Sequence, residues 1–170
     1  MKYRIDFLDF WHMGSGTGAG AALDATVLKD KEGFPYVPGR TLKGLLREMA
    51  EYLDASKALD YFGDEGDKCA SIYVSNAQID KEERAYLNAH PHLKKHLFDK
   101  LTSTRIDSKG VAEDKTLRRI EVVVPMRLEG EIVCEDAAFI RKCMAMVKQM
   151  GLNRNRGLGR CVIEEVKDAD

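Results

Sequence analysis

The chain has 170 residues, 44% of them hydrophobic and 32% charged, with a formal net charge of −1. That length and apolar content predict one domain spanning residues 1–170, while the near-neutral charge excludes nucleic-acid binding through bulk charge and confines any such site to a local basic patch. No apolar run reaches membrane-spanning length and the opening MKYRIDF carries no signal-peptide pattern, so a cytoplasmic location without membrane contact is expected.

Tyr3, Ile5 and Phe7 alternate with Arg4 and Asp6, which predicts an opening strand. Leu8 and Phe10 break the phase, as a bulge near Asp9 would. Trp11 and His12 lead into a loop with Gly14, Gly16, Gly18 and Gly20. No GK[ST] follows, so this is not a P-loop, and the spacing is not a dinucleotide fingerprint. Such a loop is either a flexible surface turn or a backbone that passes close to a ligand. His12 at its edge is either a packed ring or a polar contact.

After LDATVLKD and the turn KEGFPYVPGR comes an amphipathic helix with Leu42, Leu45, Leu46, Met49 and Leu53 inward. Its start is basic: Arg40, Lys43 and Arg47. A helix N-terminus already carries partial positive charge, so cations there are unfavourable by a few tenths of a kcal/mol, up to about 1. A docked phosphate would explain them; a solvated face partnered by Glu48 and Glu51 would also do so. The acidic loop YFGDEGD and a strand in SIYVSNAQI follow.

Residues 80–119 fit the strand–helix rhythm poorly and read as an insertion. His90, His92 and His96 lack an acidic or sulfur partner that would complete a metal set. TRIDSKGVAEDKTLRR, with Arg105 near its start, reads as a protruding hairpin or loop. Ile120, Val122, Val124, Met126, Leu128, Ile132 and Cys134 then share one parity, predicting a long antiparallel strand with an edge or bulge at Pro125. A second helix has Phe139, Ile140, Cys143, Met144, Val147 and Met150 inward, with Asp136 near its start and Gly151 past its end. GLNRNRGLGR puts Arg154, Arg156 and Arg160 among glycines, where guanidinium forks and backbone N–H groups reach phosphates. The chain closes with a strand from Cys161 to Val166. The four cysteines, Cys69, Cys134, Cys143 and Cys161, lack CxxC spacing and read as reduced core thiols.

Strand, helix, strand, insertion, strand, helix, strand is the order of an α+β, ferredoxin-like (RRM-like) split βαβ domain. Here it carries an inserted thumb-like segment. The sheet face away from the helices is free to carry a ligand, as in RNA-recognition domains.

Four stretches resemble one family. HMGSGTGAGAALDATVLKDKEGFPYVPGRTLKGLLRE is similar to the strand, glycine loop and P-x-P-G…LKG-x-x-R helix start of the RAMP superfamily of CRISPR-associated proteins. YFGDEGDKCASIYVSNAQI is similar to its FG…S-[DN]-A strand, and GLNRNRGLGRCVIEEV to its C-terminal glycine-rich loop and strand. TRIDSKGVAEDKTLRRIEVVV resembles the thumb of its backbone subunits. Within the superfamily the chain looks most like the repeating backbone subunit of type III CRISPR effector complexes. The resemblance implies a ribonucleoprotein filament formed with copies of itself, related RAMP subunits and other effector subunits. It implies binding of guide RNA and endoribonucleolytic cleavage of paired target RNA in antiviral defence.

The position matching the family's catalytic aspartate is Asp24, with Asp30 ranked second. His12, Arg40, Lys43, Arg47, Arg105, Arg154 and Arg156 are the expected RNA contacts. A divalent ion, Mg2+, is the expected cofactor; its ligands are not legible, and no organic cofactor is expected. The alternatives are a non-cleaving capping or scaffold subunit and, ranked lower, a guide-processing endoribonuclease.

Overall fold

In the computed structural model, β1 (Lys2–Phe7) is the centre of a four-stranded antiparallel sheet. The alternation of its sequence survives in space: Tyr3, Ile5 and Phe7 are buried while Arg4 and Asp6 lie on the opposite face. β1 pairs on one side with β5 (Arg127–Val133) and on the other with β6 (Cys161–Glu165). β2, reduced to Tyr73–Val74, pairs with the outer side of β5. The order β2-β5-β1-β6 is that of the ferredoxin-like split βαβ plan. The structure describes residues 1–18, 23–63 and 70–166; Gly20, the acidic residues of 64–69 with Cys69, and the end of the acidic tail lie outside them.

Two helices cover the buried face. α1 (Gly39–Leu53) buries Leu42, Leu46 and Ala50, while Leu45 and Met49 are only partly covered. Leu53, expected inward, is 42% exposed because the helix ends there. Asp54 then starts an additional helix, α2 (Ala55–Phe62), by accepting from the Ser56 and Lys57 N–H groups. The expected acidic loop therefore loses Tyr61 and Phe62 to this helix. α4 (Ala137–Met146) is capped by Asp136, which accepts from the Phe139 N–H at 2.9 Å. It ends five residues before Gly151, so that glycine is not its cap.

The long strand expected from Ile120 to Cys134 is two strands in two sheets. β4 (Arg118–Val123) pairs with β3 (Phe98–Ser103) as a separate hairpin, and β5 starts afresh in the main sheet. The break falls at Val124–Met126, around Pro125, which cannot donate to a ladder. Between β2 and β3 lie α3 (Lys81–Ala89) and a 3-10 turn, Pro91–Leu97. Trp11 joins hairpin to sheet. It is fully buried, stacks on Phe7 at 4.3 Å, and donates its indole N–H to the Val124 carbonyl at 3.2 Å. Its backbone also exchanges two hydrogen bonds with Val123.

Cys143 and Cys161 are core residues, and burial pushes their thiols up to about 11 and about 12. Among the described residues, no helix is long and apolar enough to cross a membrane.

Candidate active site

The segment after the glycine loop runs along the hairpin. Ala25 bridges Ile120 in parallel, and the Glu121 N–H donates to the Ala25 carbonyl at 3.0 Å. The Glu121 carboxylate accepts from the Val27 N–H at 3.0 Å and from Lys29 Nζ at 2.7 Å. Asp24 is exposed at the end of this segment. Its Oδ2 accepts from the Arg119 N–H at 2.7 Å, and its own N–H donates to the Arg119 carbonyl at 2.8 Å. Among the described residues Oδ1 makes no hydrogen bond.

Asp24 edges a concavity of about 430 Å³, walled also by His12, Gly14, Thr17, Thr26 and Leu152. His12 is 1% exposed and meets the concavity as a packed ring. Its Nδ1 lies 2.6 Å from the Glu121 carbonyl. A carbonyl only accepts, so Nδ1 carries the proton. Nε2 is buried and makes no hydrogen bond. Gly14 lies over it: a methyl group there would sit 3.4 Å from Nε2. Gly18 instead packs on the Leu23 and Asp24 carbonyls, and Ser15, Thr17 and Thr26 close the loop with a hydroxyl cluster at 2.7–2.8 Å.

The C-terminal loop abuts the same place. Leu152 donates its N–H to the His12 carbonyl at 2.9 Å, and Gly151, at φ +93, sits directly against that oxygen. Arg154 and Arg156 follow in a short exposed 3-10 turn between Asn153 and Gly157, both left-handed. Arg160 is committed to Asp9 at 3.0 Å.

Asp30, the second-ranked carboxylate, is structural. Oδ1 accepts from the Glu32 and Phe34 N–H groups at 2.9 and 3.0 Å, and Oδ2 accepts from Arg84 at 2.5 Å. Burial raises its pKa, but the Phe34 N–H, Arg84 and the Glu32 N–H together hold it below the usual carboxylate range.

The basic helix start is elsewhere, and part of it is already partnered. The Gly39 N–H donates to Asn76 Oδ1 at 2.8 Å, and a Cβ on Gly39 would meet the Val74 carbonyl at 2.1 Å. That glycine serves close packing on β2 rather than approach to a ligand. Lys43 donates to the Ile72 carbonyl at 3.2 Å, and Arg47 pairs with Glu51 at 2.8 Å. Arg40 is exposed. Arg154 faces the other flank of α1, where it lines a small concavity with Leu45, Glu48 and Met49. Arg105 sits far out on the hairpin, 3.5 Å from Glu113.

The open sheet face is dominated by charged side chains. It carries Lys2, Arg4 and Arg127 against Asp6, Glu129, Glu131 and Glu164. Arg4 pairs with Asp6 at 2.9 Å and Glu164 at 3.4 Å, and Arg127 pairs with Asp6 at 2.8 Å. Acids outnumber bases on β1, β5 and β6, and the aromatic ring of that face is Tyr73 on the edge strand β2, opposite Val133 and 62% exposed.

Among the described residues, no group of three or more His, Cys, Asp and Glu side chains could hold a metal ion. Asp24 offers one uncommitted oxygen, and its neighbours in the concavity add hydroxyls but no second acid. This donor set does not fit a divalent ion caged by protein.

Two solved structures share this fold. A chain of type III-B Cmr-beta in its apo state superposes with a TM-score of 0.72 over 98% of this chain and 97% of that one, at 14% identity. A chain of type III-B Cmr-beta bound to cognate target RNA gives 0.71, over 96% and 95%, at 13% identity. The sequence matches none of the curated proteins. The model of the RAMP superfamily matches residues 4–162, nearly the whole chain, with Asp24, His12 and both glycine-rich loops inside it; the chain belongs to the RAMP superfamily.

Proposed function

We propose that this protein is an RNA-binding backbone subunit of a type III CRISPR effector complex, and that it cleaves guide-paired target RNA at Asp24. The observation that carries the reading is the pairing of an uncommitted carboxylate oxygen, Asp24 Oδ1, with a buried unsatisfied imidazole nitrogen, His12 Nε2, in one concavity. A family whose structural relatives include a chain of an assembly bound to cognate target RNA supplies the substrate class.

In this reading a ribose 2′-hydroxyl lies against Oδ1. The carboxylate takes its proton as the oxygen attacks the adjacent phosphorus. The bond to the 5′-oxygen of the next nucleotide breaks, and that oxygen is protonated from solvent. One carboxylate is a modest base, so alignment of the strand supplies much of the effect. Arg40, Arg154 and Arg156 are exposed cations suited to guide phosphates, and Arg105 on the hairpin to RNA or a neighbouring subunit. The guide's sequence is read by pairing, not by these side chains.

The test is the assembled complex carrying Asp24→Ala, given complementary labelled RNA with magnesium or with EDTA. The expected result is normal composition, normal RNA binding and an uncut target; EDTA checks the expected Mg2+ dependence on wild type. Cleavage at the wild-type rate by the variant removes Asp24 from the role. A wild-type complex that never cuts makes the chain a capping or scaffold subunit.

A further inference from the structure

The surface built by α3 and the 3-10 turn Pro91–Leu97 takes no part in the arrangement around Asp24. Tyr86 is 58% exposed. Its ring lies against that of His90, with centroids 4.4 Å apart, and His90 meets His92 edge-on at 6.2 Å. The Tyr86 carbonyl, 2.9 Å from His90 Nδ1, fixes this ladder to the helix end. Two cations follow. Lys29 is occupied by Glu121 at 2.7 Å and Lys94 lies over the Phe34 ring at 4.4 Å, but among the described residues Lys95 and Lys100 form no ion pair. With Lys29, Phe98, Asp99 and Glu121 they wall a concavity of about 440 Å³. Lys100 stands opposite Glu121 in the hairpin register, two residues from the Arg119 that holds Asp24, or about 7 Å along the strand.

Rings in series, Tyr86 and His92 exposed and His90 half-buried, beside lysines that enter no ion pair among the described residues are the two parts of a single-strand track: flat faces for bases and charges for phosphates. An acidic peptide would use the lysines and leave the rings idle. The imidazoles belong to no metal-holding group among the described residues. We propose that the surface from Tyr86 to Lys100 binds an unpaired stretch of RNA, its rings stacking bases and Lys95 and Lys100 neutralising phosphates. The proposal rests on the RNA-binding reading above and adds a site that leads towards Asp24 along the hairpin base.

The experiment titrates the full chain into a fluorescein-labelled single-stranded oligouridylate across a series of salt concentrations. Lys95→Ala/Lys100→Ala removes two phosphate contacts and is expected to flatten the slope of log K against log salt by about 1.4. Tyr86→Leu is expected to weaken binding about tenfold at an unchanged slope, and Tyr86→Phe to restore it. A lysine variant with wild-type affinity and slope overturns the proposal while leaving RNA binding itself intact. A flattened slope in the lysine variant with wild-type binding by Tyr86→Leu overturns the RNA track in favour of a plain anion patch. A wild-type chain with no affinity for the RNA overturns this proposal together with the RNA-binding reading.

Discussion

Asp24 and Arg119 exchange two hydrogen bonds: the Asp24 N–H donates to the Arg119 carbonyl at 2.8 Å, and the Arg119 N–H donates to the Asp24 carboxylate at 2.7 Å. The candidate catalytic group is thus fixed to the root of the β3–β4 hairpin. Anything that displaces the hairpin displaces the carboxylate.

That bond separates position from charge. Asp24→Asn keeps an oxygen for the Arg119 N–H, whereas Asp24→Ala does not. We expect thermal melts of Asp24→Asn to match wild type, and Asp24→Ala to lose about 1 kcal/mol. Both should lose target cleavage by about 10²–10⁴-fold, because the asparagine amide takes no proton. An Asp24→Asn complex that still cuts would show that Asp24 serves geometry alone.

Asp30→Asn should do the reverse, harming stability more than chemistry. The Asp30 carboxylate organises the turn to Phe34 and receives Arg84. Its pKa is held below the ordinary value. A depressed carboxylate pKa contributes stability that is present above the unfolded value, about 3.9, and is lost as pH falls through the folded value. Urea melts near pH 7 should place Asp30→Asn about 1–3 kcal/mol below wild type. As pH falls below the ordinary carboxylate range the two curves should approach each other. A gap independent of pH would mean that the charge of Asp30 contributes nothing.

Gly151 is the contact between the C-terminal loop and His12. At φ +93, any Cβ there would stand 2.4 Å from the His12 carbonyl, which also accepts from Leu152. Backbone atoms cannot rotate away as a side chain does. Gly151→Ala should destabilise by about 2 kcal/mol or more and lower cleavage, since the loop lifts off the ring. Calorimetry with wild-type stability would show that the loop yields freely there.

The main sheet and its two helices were legible because each follows one clean periodicity, from Tyr3–Ile5–Phe7 to Asp136 capping α4. The switch between sheets at Pro125 was not, because β4 and β5 keep alternating in phase across it; only the proline marks the break. α2 escaped because a single residue, Asp54, separates it from α1, although Asp54 with Ser56 was a readable cap. Gly151 looked like a helix stop since both caps and close contacts select glycine. For Arg40, Lys43 and Arg47 the sequence shows charge but not their partners: Asn76 accepts the Gly39 N–H, Ile72 accepts from Lys43 and Glu51 pairs with Arg47, while Arg40 stays exposed. Asp24 was found by family resemblance alone. Its partner, Arg119, is 95 positions away, and no local pattern links them.

The hairpin offers the sharpest division between folding and assembly. Ser103 and Arg118 are its last ladder pair, and everything beyond is held by local contacts such as Thr104 with Thr116 at 2.9 Å and Ile106 with Ala112. Ile106, Val111 and Leu117 are more than half exposed there, so the tip adds nothing to the core. Antiparallel neighbours can be rejoined by a two-residue Asn-Gly turn without strain. Replacing residues 104–117 by Asn-Gly should therefore leave the melting temperature of the chain unchanged, with Arg119 still holding Asp24. If the tip contacts RNA and a neighbouring copy, as Arg105 and these apolar side chains imply, the variant should no longer form RNA-bound filaments in negative-stain images. Filaments of normal length from the shortened chain would sink the assembly role. A collapse in melting temperature would show instead that the tip supports the fold.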